Sequence, residues 1–226
     1  MKALEKLLLM PLLIFLCGGD VQAQSAWKLS TEKEGIKVYT SEFPDSKIKA
    51  IKVECEVNAT ASQIVALLMD VNTSADWVYH VKACQLIKQV SPSELYYYSE
   101  VNMPWPVANR DFVAHLIVSQ DPVTKTVVVD GPCVTGLIPE RKGVVRIGNS
   151  TGKWIITPGS NDQTKIEYSI HVDPGGHIPA WMVNMFATEG PLRIFEQLKM
   201  RVQKPEYKNA VLPFIDNKQY AMNAKF

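Results

Sequence analysis

Alternating apolar and polar positions predict β-strands along most of the chain, as in Ile36-Lys37-Val38-Tyr39-Thr40. Short spacers containing Pro, Gly, Asn or Asp separate several of these segments. Such spacers favour antiparallel connections, because a parallel crossover needs about a dozen residues or more. The predicted strands are 36–40, 48–57, 81–90, 95–103, 111–120, 124–130, 143–147, 153–157 and 165–172. Together they predict a single curved antiparallel sheet.

Helical spacing appears in two regions near the start of this pattern. Residues 27–34 are amphipathic and end at Gly35, so we expect a short helix there. Thr60 is a suitable N-cap for a helix over 62–69, and 70–77 indicates a further short helical piece. Two short helices are therefore expected between the early strands and the main sheet.

The spacing changes again after the turn residues 173–176. Apolar residues then recur at helical intervals, at Ile178, Trp181, Met182, Met185 and Phe186, and later at Ile194, Phe195, Leu198 and Val202. Gly190 and Pro191 predict a kink between the two groups, because proline lacks a backbone N–H and clashes with the preceding turn. We expect one long C-terminal helix, bent near its middle, across the sheet.

The N-terminal residues differ in composition from the rest of the chain. Lys2 and Lys6 precede an apolar run over 7–16, and 21–23 provide small residues at the spacing of a cleavage site. The run is about half the roughly 20 residues that a spanning helix needs, which favours a cleaved signal peptide over an anchor. We expect a signal peptide over 1–23, one domain over 24–204, a polar tail over 205–226, and export to the periplasm or extracellular space.

Charge and cysteine content bear on two questions, whether the protein binds nucleic acid and whether disulfides hold its fold. The chain has 24 Lys and Arg against 23 Asp and Glu, a net charge of +1, without clustered basic residues. A nucleic-acid partner is therefore not expected. After the predicted signal peptide, which contains Cys17, the chain has three isolated cysteines, Cys55, Cys84 and Cys133, and an odd number is not the pattern of a disulfide framework. The length and hydrophobic content suit one large domain with an ample core, and we expect a monomer.

No pattern in the sequence indicates catalytic, metal or cofactor chemistry. His80 and Cys84 stand at i and i+4 but lack the further neighbouring ligands of a zinc site. Phosphate-loop and dinucleotide-binding patterns are absent from the sequence. We therefore expect a non-catalytic protein without a cofactor.

Several motifs resemble, in order, those of the START domain family. They are Pro104-Trp105-Pro106 with Asn109-Arg110-Asp111-Phe112, then Gly143-Val144-Val145-Arg146, Gly152-Lys153-Trp154 and Pro158, and finally 173–176 with Ile178-Pro179-Ala180-Trp181. The resemblance covers nearly all of the chain after the signal peptide. It implies an α+β helix-grip fold, a curved antiparallel sheet around a long C-terminal helix, with a cavity for one lipid, sterol or other amphipathic ligand.

Candidate ligand-binding residues come from the strands and from the last helix. On the strands they are polar residues among apolar neighbours: Tyr98, Asn102, Arg110, His115, Tyr168 and His171. On the helix they form an adaptable apolar wall: Trp181, Met182, Met185 and Phe186. Alternation does not show which strand face is concave.

A buried guanidinium must be paired and hydrogen-bonded, which leaves two interpretations of Arg110. In the first, Arg110 braces a turn by donating to carbonyls or to a carboxylate such as Asp111 or Glu100. In the second, it binds a phosphate or carboxylate group of the ligand.

Three functional hypotheses follow from the sequence. The first is binding and transfer of one lipid, with transient membrane contact and a gate formed by the last helix between Gly175-Gly176 and Pro191. The second is a polyketide cyclase or aromatase that uses a general acid or base in the same cavity, with Tyr98, His115 and His171 as the candidates. The third is a ligand-sensing module that a protein partner recognises.

Overall fold

The computed structural model of the protein describes residues 27–42, 49–160, 163–176, 178–179, 181–182 and 185–217. The predicted signal peptide lies outside the described residues, as does the end of the predicted tail. One sheet forms the centre of the described chain, and a C-terminal helix packs against one of its faces.

The strands follow the predicted alternation, with boundaries that differ by a few residues. They are β1 (Lys28–Lys33), β2 (Ile36–Glu42), β3 (Lys49–Asn58), β4 (Val81–Ser91), β5 (Glu94–Val101), β6 (Asn109–Gln120), β7 (Val127–Pro132), β8 (Val144–Arg146), β9 (Asn149–Pro158) and β10 (Gln163–Asp173). Their order across the sheet is β1-β2-β3-β10-β9-β7-β6-β5-β4. Neighbours in this order are antiparallel, and the short β8 pairs with β6 in parallel.

The connection from β3 to β4 crosses to the far edge of the sheet and contains α1 (Ala61–Met69) and a 3₁₀ helix (Val71–Asp76). The helix α1 begins with a capping box. The Thr60 side chain accepts a hydrogen bond from the Gln63 backbone N–H, and the Gln63 side chain accepts one from the Thr60 N–H. The predicted cap at Thr60 is therefore confirmed.

The C-terminal helical region changes its hydrogen-bonding pattern along its length. A π-helical turn (Met185–Glu189) leads directly into α2 (Gly190–Arg201), and a short α3 (Pro205–Lys208) follows. The interruption predicted at Gly190 and Pro191 therefore takes the form of a change from π- to α-helical bonding at Gly190.

The prediction of a helix over 27–34 is wrong, because Lys28–Lys33 is strand β1. It forms a hairpin with β2 in which Lys33 pairs with Ile36. The two turn residues, Glu34 and Gly35, have φ angles of 51° and 73°. Positive φ at both positions suits a two-residue turn between antiparallel strands. The side chains of β1 are mostly exposed, so the alternation that indicates a strand is missing at this edge.

The hydrophobic core lies between one face of the sheet and the helices. Leu67 of α1 and Phe195 of α2 are fully buried in it. Tyr207 and Ile215 belong to the same cluster, so the described part of the predicted tail packs on the domain. Within the described ranges, no helix is long and apolar enough to cross a membrane.

Candidate functional site

A cavity of about 380 Å³ lies between the sheet and the C-terminal helical region. The strands contribute one wall, which includes Tyr97, Phe112 and Trp154, and the helical region contributes Phe186 and Phe195. Most lining side chains are aliphatic or aromatic, as in sites that bind apolar small molecules.

The lining identifies the strand face that sequence alternation left open. Tyr97 and Val101 of β5 line the cavity, as do Tyr168, Ile170 and Val172 of β10. Because successive side chains alternate between the two faces of a sheet, the intervening residues of these strands point away from the cavity.

The lining contains these predicted ligand residues: Arg110, Tyr168, Met182 and Phe186. Met182 is fully buried. The indole of Trp154 lies 4.3 Å from the Tyr168 ring and 5.4 Å from the Phe195 ring, measured between centroids. These rings form an aromatic section of the wall where β9 and β10 meet α2.

Tyr98 lies outside the lining, on the opposite face of β5 from Tyr97. Its side chain is buried beneath Arg141, whose guanidinium carbon is 4.5 Å from the ring centroid. The hydroxyl donates to Glu100 Oε2 at 3.4 Å, and burial raises the pKa of Tyr98 to about 12. Tyr98 therefore packs on the outer face of the sheet, away from the cavity.

The other polar strand candidates also lie outside the lining. Asn102 is exposed just beyond the end of β5. The His115 ring stacks on Tyr96 with centroids 4.1 Å apart, and its Nε2 is 2.7 Å from Glu94 Oε1. His171 stands between two cavity-facing residues of β10 and therefore lies on the other face.

Two helical candidates, Trp181 and Met185, are displaced from the cavity. Trp181 is 54% exposed, and neither residue lines the cavity. The helical residues that line it form two rows spaced by four, Met182, Phe186, Gly190 and Ile194, and Ala187, Pro191 and Phe195. A π-helical turn closes i→i+5 bonds and holds more residues per turn than an α-helix. The predicted 3.6-residue stripe is therefore shifted in this segment.

Arg110 enters the cavity from the start of β6 and is 3% exposed. Its Nε donates to Pro174 O at 3.2 Å, Nη1 to Ala108 O at 2.6 Å and Nη2 to Gly175 O at 3.0 Å. Arg110 thus braces the turn after β10 through carbonyls. Burial lowers the pKa of this guanidinium.

The neighbouring carboxylates pair on the outer face of the sheet. Asp111 accepts from Arg146 Nε at 2.7 Å and from Nη2 at 3.1 Å. Glu100 accepts from Lys82 Nζ at 2.8 Å and from Asn109 Nδ2 at 2.8 Å. These donors, Lys82 first, hold the pKa of Glu100 below its usual value. Neither Asp111 nor Glu100 therefore serves as the partner of Arg110.

The lining also contains polar groups that are not among the predicted residues, including those of Tyr97, Trp77 and Ser150. Within the described ranges, the hydroxyls of Tyr97 and Tyr168 have no hydrogen-bond partner, and desolvation raises the pKa of both. The buried Trp77 Nε1 also lacks an acceptor there. The apolar residues Leu95 and Val101, which share a face with Tyr97, are the sequence signal that indicates Tyr97.

Comparison of the sequence with known proteins gives consistent matches. The sequence model of the START domain matches residues 21–208. A protein of Pseudomonas aeruginosa described as uncharacterized is 31% identical over 210 residues, covering 90% of this chain and all (100%) of that one. The phosphatidylcholine transfer protein of Bos taurus is 25% identical over 181 residues, covering 74% of this chain and 79% of its own.

Solved structures match the fold as well. The STAR-related lipid transfer protein of Xanthomonas axonopodis is 32% identical with a TM-score of 0.72, and the match covers 79% of this chain and 99% of that one. The human StAR-related lipid transfer protein 5 is 19% identical with a TM-score of 0.70, covering 80% of this chain and 88% of that one, and it supports the fold alone.

Proposed function

The chain belongs to the START domain family, and from this premise we propose that it binds one amphipathic lipid in the cavity and carries it through water. START relatives indicate lipid binding or transfer as the general activity. The observation that carries the proposal for this chain is the apolar cavity of about 380 Å³ between the sheet and the C-terminal helices.

The size of the cavity favours a small occupant. Its volume of about 380 Å³ lies near the lower end of the roughly 300–1,000 Å³ typical of small-molecule sites. A ligand with one acyl chain therefore suits the cavity as it stands. A lipid with two long chains requires the helical wall to move outward.

Binding in such a cavity lowers the free-energy barrier to moving a lipid through water. Exposing an acyl chain to water costs about 0.8 kcal/mol per methylene, or roughly 10 kcal/mol for a chain of about 12 methylenes. An apolar wall of aromatic and aliphatic side chains replaces the membrane interior for that chain. The protein thereby makes transfer between two membranes feasible without chemical change to the lipid.

A contact between two cavity-lining rings is the proposed gate. Tyr79 and Phe186 both line the cavity, and their ring centroids are 6.0 Å apart. The Tyr79 ring also packs closely on Gly190, where an added Cβ would lie 2.9 Å from Tyr79 Cδ1. Tyr79→Ala removes these contacts and should speed both uptake and release of lipid. Unchanged rates would count against this gate.

Exposed aromatic side chains support transient contact with a membrane surface. Trp105 is 91% exposed and Trp181 is 54% exposed. Tryptophan is favoured at membrane interfaces, because its indole is largely apolar and carries one polar N–H. The predicted signal peptide supports the further proposal that this transfer takes place in the periplasm or extracellular space.

Binding without catalysis is the activity that the lining favours. The described residues that line the cavity include no aspartate, glutamate or histidine. The candidates for a general acid or base in a cyclase, Tyr98, His115 and His171, lie outside the lining. This placement favours a carrier over a cyclase.

Native mass spectrometry of the protein purified from its own host tests the proposal, with organic extraction to identify any bound molecule. We expect one lipid per chain, retained by the native protein and released on denaturation. A chain that remains free of lipid, also after incubation with vesicles of mixed phospholipids and free fatty acids, would refute the carrier function.

A further inference from the structure

Arg110 gives the cavity an electrostatic asymmetry. Among the described residues that line the cavity, it is the one side chain with a formal charge. The nearest carboxylates along the strands are taken by other cations, Asp111 by Arg146 and Glu100 by Lys82. Arg110 is thus a buried cation that faces an apolar cavity and has no carboxylate partner in the described part of the chain.

The guanidinium is held in place but retains donors. Carbonyls of Ala108, Pro174 and Gly175 each accept one hydrogen bond from it. Nη1 and Nη2 each carry two N–H groups, and each uses one in these bonds. One N–H therefore remains on each of the two nitrogens, and each can donate to an oxygen of a carboxylate or phosphate.

We infer that the cavity ligand carries an acidic group, a carboxylate or a phosphate, that accepts hydrogen bonds from Nη1 and Nη2 of Arg110. This inference rests on the proposed function and adds the chemical class of the ligand. An anion compensates the buried charge, which carbonyl dipoles alone do only in part. The carbonyl bonds hold the fork in position before the ligand arrives.

The position of Arg110 also sets the orientation of the ligand. Arg110 pairs with Val101, and Tyr97 lies further along the same face of β5 opposite Ala114. At about 3.3 Å per residue, the four-residue step corresponds to roughly 13 Å along the strand. The acidic group therefore lies at the turn after β10, and the apolar tail extends past Tyr97 toward the interior of the cavity.

Matched ligand pairs test the inference on the wild-type protein. The first pair is hexadecanoic acid and its methyl ester, and the second is palmitoyl lysophosphatidic acid and monopalmitin. Each pair differs only in its acidic group. Affinities are measured by displacement of the uncharged dye Nile red and checked by native mass spectrometry.

In the wild type we expect the acidic member of at least one pair to bind about 10- to 100-fold more tightly, the range of charge-assisted hydrogen bonds. Preference in the first pair assigns the site to carboxylates, and preference in the second assigns it to phosphates. Arg110→Gln should abolish the preference, and Arg110→Lys should retain part of it. The control Arg141→Gln, at a half-exposed arginine outside the cavity, should leave the preference unchanged.

Equal affinity within both pairs would overturn the inference and leave lipid binding intact. Failure of every ligand to bind would instead refute the proposed function, and the inference with it. Because the ligand pairs are compared on the wild-type chain, the test does not depend on the folding of the Arg110 variants.

Discussion

Asp111→Asn removes one charge from a buried ion pair behind the cavity wall. The side chains of Asp111 and Arg146 are 1% and 7% exposed. Two hydrogen bonds of 2.7 and 3.1 Å join them in a bidentate pair, and Arg146 also donates to the carbonyls of Ile138 and Pro139. The variant leaves the Arg146 guanidinium buried without its partner carboxylate and weakens its hold on the segment that contains Ile138 and Pro139.

The expected loss is large for a single substitution. Removing one partner of a buried pair costs about 3–5 kcal/mol. For a domain of this size about 1 kcal/mol lowers Tm by roughly 2–4 °C, so we expect a fall of about 6–20 °C. Arg146→Met in the Asp111→Asn background should recover part of the loss, because it removes the uncompensated charge.

The loss in the free energy of unfolding is measured by urea denaturation, with circular dichroism as the signal. The matched control is Glu196→Gln, which breaks the exposed pair with Lys33 and should cost at most about 1 kcal/mol. A loss for Asp111→Asn no greater than that of the control would refute the claim that the pair supports the sheet.

Met182→Asp places a carboxylate in the apolar wall and should weaken Nile red and fatty acid binding at least about tenfold, whereas Trp181→Asp, at an exposed site, should not. Trp105→Ala should slow lipid transfer between vesicles while leaving lipid binding in solution unchanged. The lowered pKa of Glu100 stabilises the fold at pH values above its ordinary 4.5, and this stabilisation is lost as the pH falls through the folded-state pKa. When the pH is lowered below 4.5, the stability of the Glu100→Gln variant should therefore fall less than that of the wild type. Thermal denaturation across a pH series measures both changes.

The sheet could be predicted because most of its strands are half-buried. One face of such a strand packs in the core and the other meets solvent, which produces the alternation seen at 36–40 and 165–172. Strand β1 is exposed along most of its length and lacks this pattern. Its pairing depends on the turn at Glu34 and Gly35, whose positive φ angles the alternation does not encode.

The site was harder to predict, because polarity was a poor guide to the cavity face. Tyr97 and Tyr98 are adjacent and identical in type, and alternation shows only that they point in opposite directions. Selecting polar residues favoured Tyr98 and His115, which serve the outer face of the sheet. The apolar neighbours Leu95 and Val101 would have indicated Tyr97. A 3.6-residue period does not encode the π-helical turn, and the cavity lining includes Met182 and Phe186 but not Trp181 or Met185.

Photo-cross-linking can show whether one amphipathic lipid occupies the cavity between the sheet and α2. A fatty acid with a diazirine in its chain is bound and irradiated, and the labelled peptides are mapped. We expect one label per chain, confined to cavity residues such as Tyr97, Trp154, Met182 and Phe195. Labelling confined to exposed residues such as Trp105, or labelling that excess unlabelled fatty acid does not suppress, would contradict it.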